Sequence, residues 1–378
     1  MHHEGILAWD AHQIVTDPLR LFDTNTFYPE RDTLAYSDHL IVQGLMAAPL
    51  FWFGASPVLV YNLLLIAGLA LTGWTTSLVV ARWTGSRMAG LLSGSLIAFN
   101  AMTLTRFAEI QDQHLEFFPL VLVALDRLLV LPRVKDALRL AGWFVVQGLT
   151  GGYLLAFMSL SLVAAVLVRP ADWMGPRFRR VAGLLLLAAV VAGLALTPFL
   201  LPYLRVSRGH GFTRPMAEVA LYSAHLTDYL ATGGRVHYEL WSHRFFGDDA
   251  LFPGVIAFGL TIAALVSGVG WRDRRARMAM AFGVVGCALS FGPGFPLYPL
   301  VAELVPIMGG IRGASRFGQF FLIAVALLAG FGLVVLQRRF TRAATALAVV
   351  LLLGVHLEAL RAPITYAGSR GSRRSSTA

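Results

Sequence analysis

Charge is scarce in this chain: 14% of its 378 residues are charged, against 57% that are hydrophobic. Soluble domains carry roughly a quarter charged residues, so a water-soluble globule is excluded and an integral membrane protein is expected. Cysteine is nearly absent. The single thiol, Cys287, excludes an intrachain disulfide and any cysteine-based metal site. The 10 histidines are scattered, and none forms a His-Glu-x-x-His or similar ligand pair on a helix. Walker, Rossmann and EF-hand patterns are lacking, as is a strict internal repeat. The segment up to residue 40 holds no apolar core of a signal peptide. Instead Ile6-Leu7-Ala8-Trp9 reads as the middle of a domain, with the expectation that a further apolar span precedes it.

A net charge of +10 comes from 31 basic residues against 21 acidic ones. Nearly all the basic residues are arginine, and their clusters interrupt apolar runs. That pattern sets orientation in a membrane, and a nucleic-acid partner is not expected. A helix needs about 20 apolar residues to cross the hydrocarbon core. Candidate spans are 57–82, 88–104, 116–132, 137–149, 152–168, 181–203, 251–270, 277–292, 317–337 and 343–360. The pair between 137 and 168 is short for two crossings, and breaks at Gly148, Gly151 and Gly152 require protein or water to cover the helix ends.

Alternation of these spans puts Arg82 and Arg87, Arg127 to Arg139, Arg169 to Arg180, Arg272 to Arg277 and Arg338 to Arg342 on one face, cytoplasmic by the positive-inside rule. The expected fold is therefore an all-α polytopic protein of about ten transmembrane helices with large extracytoplasmic loops. Residues 1–56 form the first outer loop, 57–203 and 251–360 the two parts of the bundle, 204–250 a second outer loop, and 361–378 a disordered or truncated tail. Within the first loop, 40–53 is apolar but too short to cross, and reads as a surface helix with Trp52 and Phe53 at headgroup level.

Two carboxylate clusters then fall on the outer face. Asp10 stands in Trp9-Asp10-Ala11-His12, and Glu109 and Asp112 in Glu109-Ile110-Gln111-Asp112-Gln113-His114. Acids at the mouth of a bundle can deprotonate an acceptor hydroxyl or hold a metal. The plain alternatives are an inert helix-end carboxylate for Asp10 and a polar cap on a hairpin for the second cluster. Together on one face they favour function.

Arg312 and Arg316 lie in Gly309-Gly310-Ile311-Arg312-Gly313-Ala314-Ser315-Arg316-Phe317, where a Gly-rich outer segment enters a span. Guanidinium groups there suit phosphate oxygens. Snorkelling alone predicts the cytoplasmic side, so two outer arginines want an anionic partner. The segment from Arg205 to Asp249 mixes histidines, acids and aromatics such as Tyr229, Tyr238 and Trp241, suited to sugar faces, although an interface belt is the commoner setting of any one such aromatic.

Taken together, the first outer loop with Trp9-Asp10-Ala11-His12, Phe27-Tyr28-Pro29, the helix at 40–53, the acidic loop two spans later and Gly309-Gly310-Ile311-Arg312 leading to Ser315-Arg316-Phe317 resemble the GT-C superfamily of polytopic glycosyltransferases. The likeness covers nearly the whole chain and is one of layout more than of strict motif. It implies a hexosyl- or pentosyltransferase of the cell (inner) membrane, with its active site outside the cytoplasm. A polyprenyl-phosphate-linked sugar would be the donor, and a glycan, lipid or protein hydroxyl the acceptor. On that resemblance Asp10 is a general base or metal-orienting carboxylate, and Glu109 and Asp112 form the second acidic site. His12 and His114 bind substrate beside them, and Arg312 and Arg316 hold the lipid-linked phosphate. A divalent cation is left open as cofactor, since superfamily members differ. A polytopic transporter and a non-catalytic membrane assembly protein are the competing classes.

Overall fold

The computed structural model describes residues 3–210, 214–247 and 249–361; the tail expected at 361–378 lies, beyond Arg361, outside the described residues. Helices dominate, and no named strand forms among the described residues, so the all-α expectation holds. Twelve principal helices follow in chain order. They are α1 His3–Thr16, α2 Ile41–Trp52, α3 Pro57–Thr84, α4 Arg87–Ala98, α5 Phe118–Val130 and α6 Val134–Gly148. After these come α7 Gly152–Leu167, α8 Phe178–His210, α9 Val255–Val266, α10 Arg274–Ser290, α11 Gly318–Arg339 and α12 Ala344–Ala359.

Local chemistry sets several of these boundaries. Ser56 accepts from the Leu59 amide with Pro57 in the first turn, and Gly85 closes α3 in the left-handed region at φ 75°. One residue later Ser86 caps α4 through the Ala89 amide. Helices α3 and α4 then pack backbone to backbone, because a Cβ on Gly94 would lie 2.3 Å from the Gly73 carbonyl oxygen. Small residues permit such an approach where lipid supplies no hydrophobic force between helices.

Among the described residues five helical segments are long and apolar enough to cross a membrane: Pro57–Thr84, Arg87–Thr105, Gly175–Gly209, Ala314–Arg339 and Thr341–Ala359. They match five of the ten expected spans. The other five expected spans form helices below crossing length: α5 has 13 residues, α6 15, α7 16, α9 12 and α10 17. Crossing length is thus reached by five of the ten expected spans, and the remainder stop short. The reason is visible where α5, α6 and α7 meet. Their inner ends are satisfied by side chains rather than by further turns: Gln147 accepts from the Phe117 amide at 3.1 Å and donates to the His114 carbonyl at 2.8 Å. Thr150 joins the same Gln147 side chain. Helix ends so covered can stop inside a bundle.

Within residues 3–56 a further core forms against α3. Ile6, Leu7, Leu34, Leu40 and Ile41 form a second core with Val60, Leu64 and Leu65 of α3. The helix expected at 40–53 is present as α2; one side is buried on α1, and Trp52 (67% exposed) and Phe53 (91%) project at its far end.

One end of the bundle gathers arginines. Arg169, with no exposed surface, donates to Asp126 and Asp172 at 2.7 Å each. Arg275 reaches Asp126 at 2.9 Å and the Trp83 carbonyl at 3.1 Å, and Ser86 bonds Gln337. The C-terminal ends of α3, α5, α7 and α11 and the starts of α4 and α10 therefore meet at one level, as the alternation of arginine clusters anticipates.

Candidate functional site

The segment between α4 and α5 does not lie flat across the helix ends. It descends along α3: the Tyr61 hydroxyl donates to the Ala108 carbonyl, and Thr72 donates to the Gln113 carbonyl at 3.0 Å while accepting from the Leu115 amide at 3.0 Å. Tyr61 and Thr72 are about 16 Å apart on the helix axis at 1.5 Å per residue. The turn Ile110–Gln113 thus carries its acids down into the bundle. Opposite it stands the break between α6 and α7, so close that a Cβ on Gly151 would come within 3.3 Å of the Gln111 Cβ.

Arg316 enters between the acids from the turn that precedes α11. Its Nη1 stands 3.7 Å from Asp112 Oδ1 and its Nη2 3.7 Å from Glu109 Oε2. Both separations exceed hydrogen-bond length, so the charges are paired while, among the described residues, the donors stay free. The guanidinium lies over the Tyr153 ring, 4.9 Å from its centroid. The Tyr153 hydroxyl accepts from the Arg312 amide at 3.2 Å, and the Arg312 guanidinium lies 4.6 Å from the centre of the Tyr222 ring. Arg312 itself is exposed. The two arginines are thus held on aromatic faces at one site.

Asp38 belongs to the same cluster. Its Oδ1 accepts from the Gly152 amide at 3.0 Å, where the N-terminus of α7 favours negative charge. Its neighbour His39 bonds the Tyr203 hydroxyl at 3.0 Å and the Gly148 carbonyl at 3.3 Å, and burial lowers its proton affinity below the ordinary imidazole value. A neutral ring here fixes the turn that presents Asp38.

Burial raises the proton affinity of the Asp112 carboxyl above the ordinary carboxylate value, and the nearby Arg316 and Arg106 oppose that rise. Asp112 Oδ2, Gln111 Oε1, Ser315 Oγ and Gln319 Oε1 are buried without hydrogen-bond partners among the described residues. Buried polar atoms normally have partners, so these four are available to a polar group. Gln319 fixes the turn from above by donating to the Asp112 carbonyl at 2.9 Å.

Of the residues singled out in the sequence, Glu109, Asp112, Arg312 and Arg316 are thus brought together. Asp10, which with Asp38 acts electrostatically on Tyr203, makes no ion pair or hydrogen bond with these side chains among the described residues. It is fully buried where α1 crosses α2, and a Cβ on Gly44 would come 2.5 Å from its own Cβ. Neither Asp10 oxygen has a hydrogen-bond partner among the described residues, and burial raises its proton affinity well above the ordinary value. His12 is exposed on α1. His114 is sealed inside, its Nδ1 2.8 Å from Glu116 Oε1 and its Nε2 3.1 Å from the Leu64 carbonyl. Both ring nitrogens are taken by the protein, so the expectation that His114 contacts substrate is corrected to a packing role.

In the segment 204–250, His237 likewise packs between Trp241 and Phe252 and stands 3.3 Å from Glu358, while Trp241 bonds the Leu230 carbonyl. Asp248 lies outside the described residues.

Among the described residues no three His, Cys, Asp or Glu side chains converge on a point that could hold a metal ion. The Arg316 guanidinium stands between Glu109 and Asp112, so this donor set does not fit a divalent cation as arranged. No family model matches the sequence, and no curated protein matches it.

Proposed function

We propose that the chain is a multi-pass membrane glycosyltransferase that moves a sugar from a polyprenyl-phosphate-linked donor to an acceptor hydroxyl, on the side of the membrane opposite the arginine-rich end. The observation that carries this reading is the contact of Arg316 with Asp112 and Glu109, at 3.7 Å each, in a setting of unpartnered buried polar atoms. An arginine with free donors suits a lipid-linked phosphate, and a carboxyl of raised proton affinity suits a hydroxyl proton.

In this reaction the acceptor oxygen attacks the anomeric carbon, the bond from that carbon to the phosphate oxygen breaks, and the hydroxyl proton passes to Asp112. The leaving lipid phosphate keeps the electron pair, and its charge is met by Arg316, with Arg312 beside it. Pairing that charge improves the leaving group, so positioning and electrostatics can supply much of the acceleration. Glu109 and Asp38 surround the same guanidinium and orient it. Membrane location is supported by the five segments of crossing length.

A proton-coupled transporter is the second reading, favoured by the buried and unpartnered Asp10. The two are separated by expressing Asp112→Asn, Arg316→Ala and Asp10→Asn in membranes supplied with labelled polyprenyl-linked sugar donors. Sugar release should fall by about 10²-fold or more in the first two and persist in the third. Unchanged release in the first two, or solute uptake abolished by Asp10→Asn with no sugar transfer, rejects the transferase.

A further inference from the structure

A groove of about 570 Å³ runs between α3, α5 and α6 and is lined by Leu78, Val79, Leu120, Val123, Trp143 and Val146, among others. Its size falls in the usual range for small-molecule sites. Two helical stripes form its walls: Leu120, Val123, Ala124 and Arg127 on α5, and Arg139, Gly142, Trp143 and Val146 on α6. Each follows the i, i+3, i+4, i+7 spacing of one helix face. The helices are joined by a short turn and run antiparallel, so an arginine late on α5 and an arginine early on α6 come to the same end of the groove. Arg82 in the last turn of α3 completes the set.

Charge and space both go unused there. Among the described residues neither the Arg82 nor the Arg127 side chain takes part in an ion pair or hydrogen bond, and only Arg139 has an acid, Asp136, at 3.3 Å. A Cβ added at Gly142 would meet nothing within 4 Å, so the wall of the groove opens at that point. Leu78 and Trp143 expose their apolar surface beside it. Snorkelling arginines account for a basic helix end but need no recess. An apolar trough ending in three guanidinium groups is complementary to an acyl chain that carries a phosphate.

We infer that this groove binds an anionic phospholipid of the bilayer leaflet at the arginine-rich end, with an acyl chain along the α5 and α6 stripes and the phosphate against Arg82, Arg127 and Arg139. Basic pockets between membrane helices commonly recognise anionic headgroups. The groove lies at the end remote from Arg316, so the inference stands independently of glycosyl transfer.

The test uses delipidated full-length protein in detergent, titrated with phosphatidylglycerol, phosphatidylcholine or inorganic phosphate and followed by native mass spectrometry and thermal melting. Gly142→Leu fills the groove on an open helix face and improves helix propensity; Arg82→Gln with Arg127→Gln removes two of its three charges. Phosphatidylglycerol should bind at least tenfold more tightly than phosphatidylcholine, and each variant should weaken it at least tenfold while melting like the wild type without lipid. Equal binding of the two lipids, unchanged binding in folded variants, or equal stabilisation by inorganic phosphate alone would overturn the proposal. If either variant melts early, Trp143→Ala and Arg127→Lys are measured in its place, the first expected to weaken phosphatidylglycerol and the second to retain it; the reverse order also overturns it.

Discussion

The Tyr153 ring lies beneath the Arg316 guanidinium, 4.9 Å from centroid to carbon, while its hydroxyl accepts from the Arg312 amide. A single side chain at the start of α7 therefore positions both arginines of the site. Tyr153→Phe keeps the ring and loses only the bond to Arg312; Tyr153→Leu loses both. With a cation–π contact worth about 0.5–2 kcal/mol, the Leu variant should raise the KM for a lipid-linked donor several-fold more than the Phe variant. Equal KM values for the two would show that the ring does not orient Arg316.

On the proposed reaction, Asp112 should set the acid side of the pH profile. Its proton affinity is raised, chiefly by burial, and the base must be deprotonated to accept a proton. Activity should therefore rise with pH along a limb lying above the ordinary carboxylate pKa of about 4, and Asp112→Asn should remove that limb with the activity. A limb that survives in Glu109→Gln and also in Asp112→Asn assigns the titration to another group.

Asp10 should govern stability instead. The folded state holds its proton more tightly than the unfolded chain does, so its contribution is complete below the unfolded pKa and is lost as pH rises through the folded pKa. Melting of Asp10→Asn relative to wild type should accordingly improve between about pH 4 and pH 7. A difference that stays constant across this range means that Asp10 does not titrate between the two states.

His114→Ala should reduce the melting temperature and leave the KM for donor unchanged. It strips Glu116 of its 2.8 Å partner in the interior, and an unsatisfied buried group costs about 1–3 kcal/mol, more when charged. A selective KM effect in a protein of normal stability would return His114 to the substrate site.

Asp126 ties together Arg169 and Arg275, the first of them fully buried. Breaking a buried pair from one side costs about 3–5 kcal/mol, so Asp126→Ala should be among the most destabilising single changes. Asp126→Ala melting with the wild type in detergent would show that the arginines find other partners.

Part of this was legible without coordinates. Long apolar runs fixed five helices of crossing length, and the arginine clusters between runs anticipated the shared end built on Arg169 and Arg275. Glu109, Asp112, Arg312 and Arg316 were recognisable because ionisable groups beside apolar spans are costly unless used. Asp38 passed unnoticed between a turn-rich stretch and an apolar helix, although Tyr36-Ser37-Asp38-His39 offered a polar cluster just before α2. Tyr153 carried no signal at all, being one aromatic among apolar residues. Sequence shows that Asp10 and His114 can carry charge but not that both side chains are covered.

Helix identity and the all-α class were thus properties of the sequence itself, because hydrophobic length and periodicity are local and the bilayer penalises any other backbone. Which acids meet which arginine was decided only in three dimensions. Residues 38, 112, 153 and 316 converge because the turn at Ile110–Gln113 descends along α3 and the Gly148–Gly152 break halts α6 beside it. Both events depend on Gln147, Thr72 and Gln319 satisfying backbone groups of segments far away in the chain, and no local pattern encodes such partners.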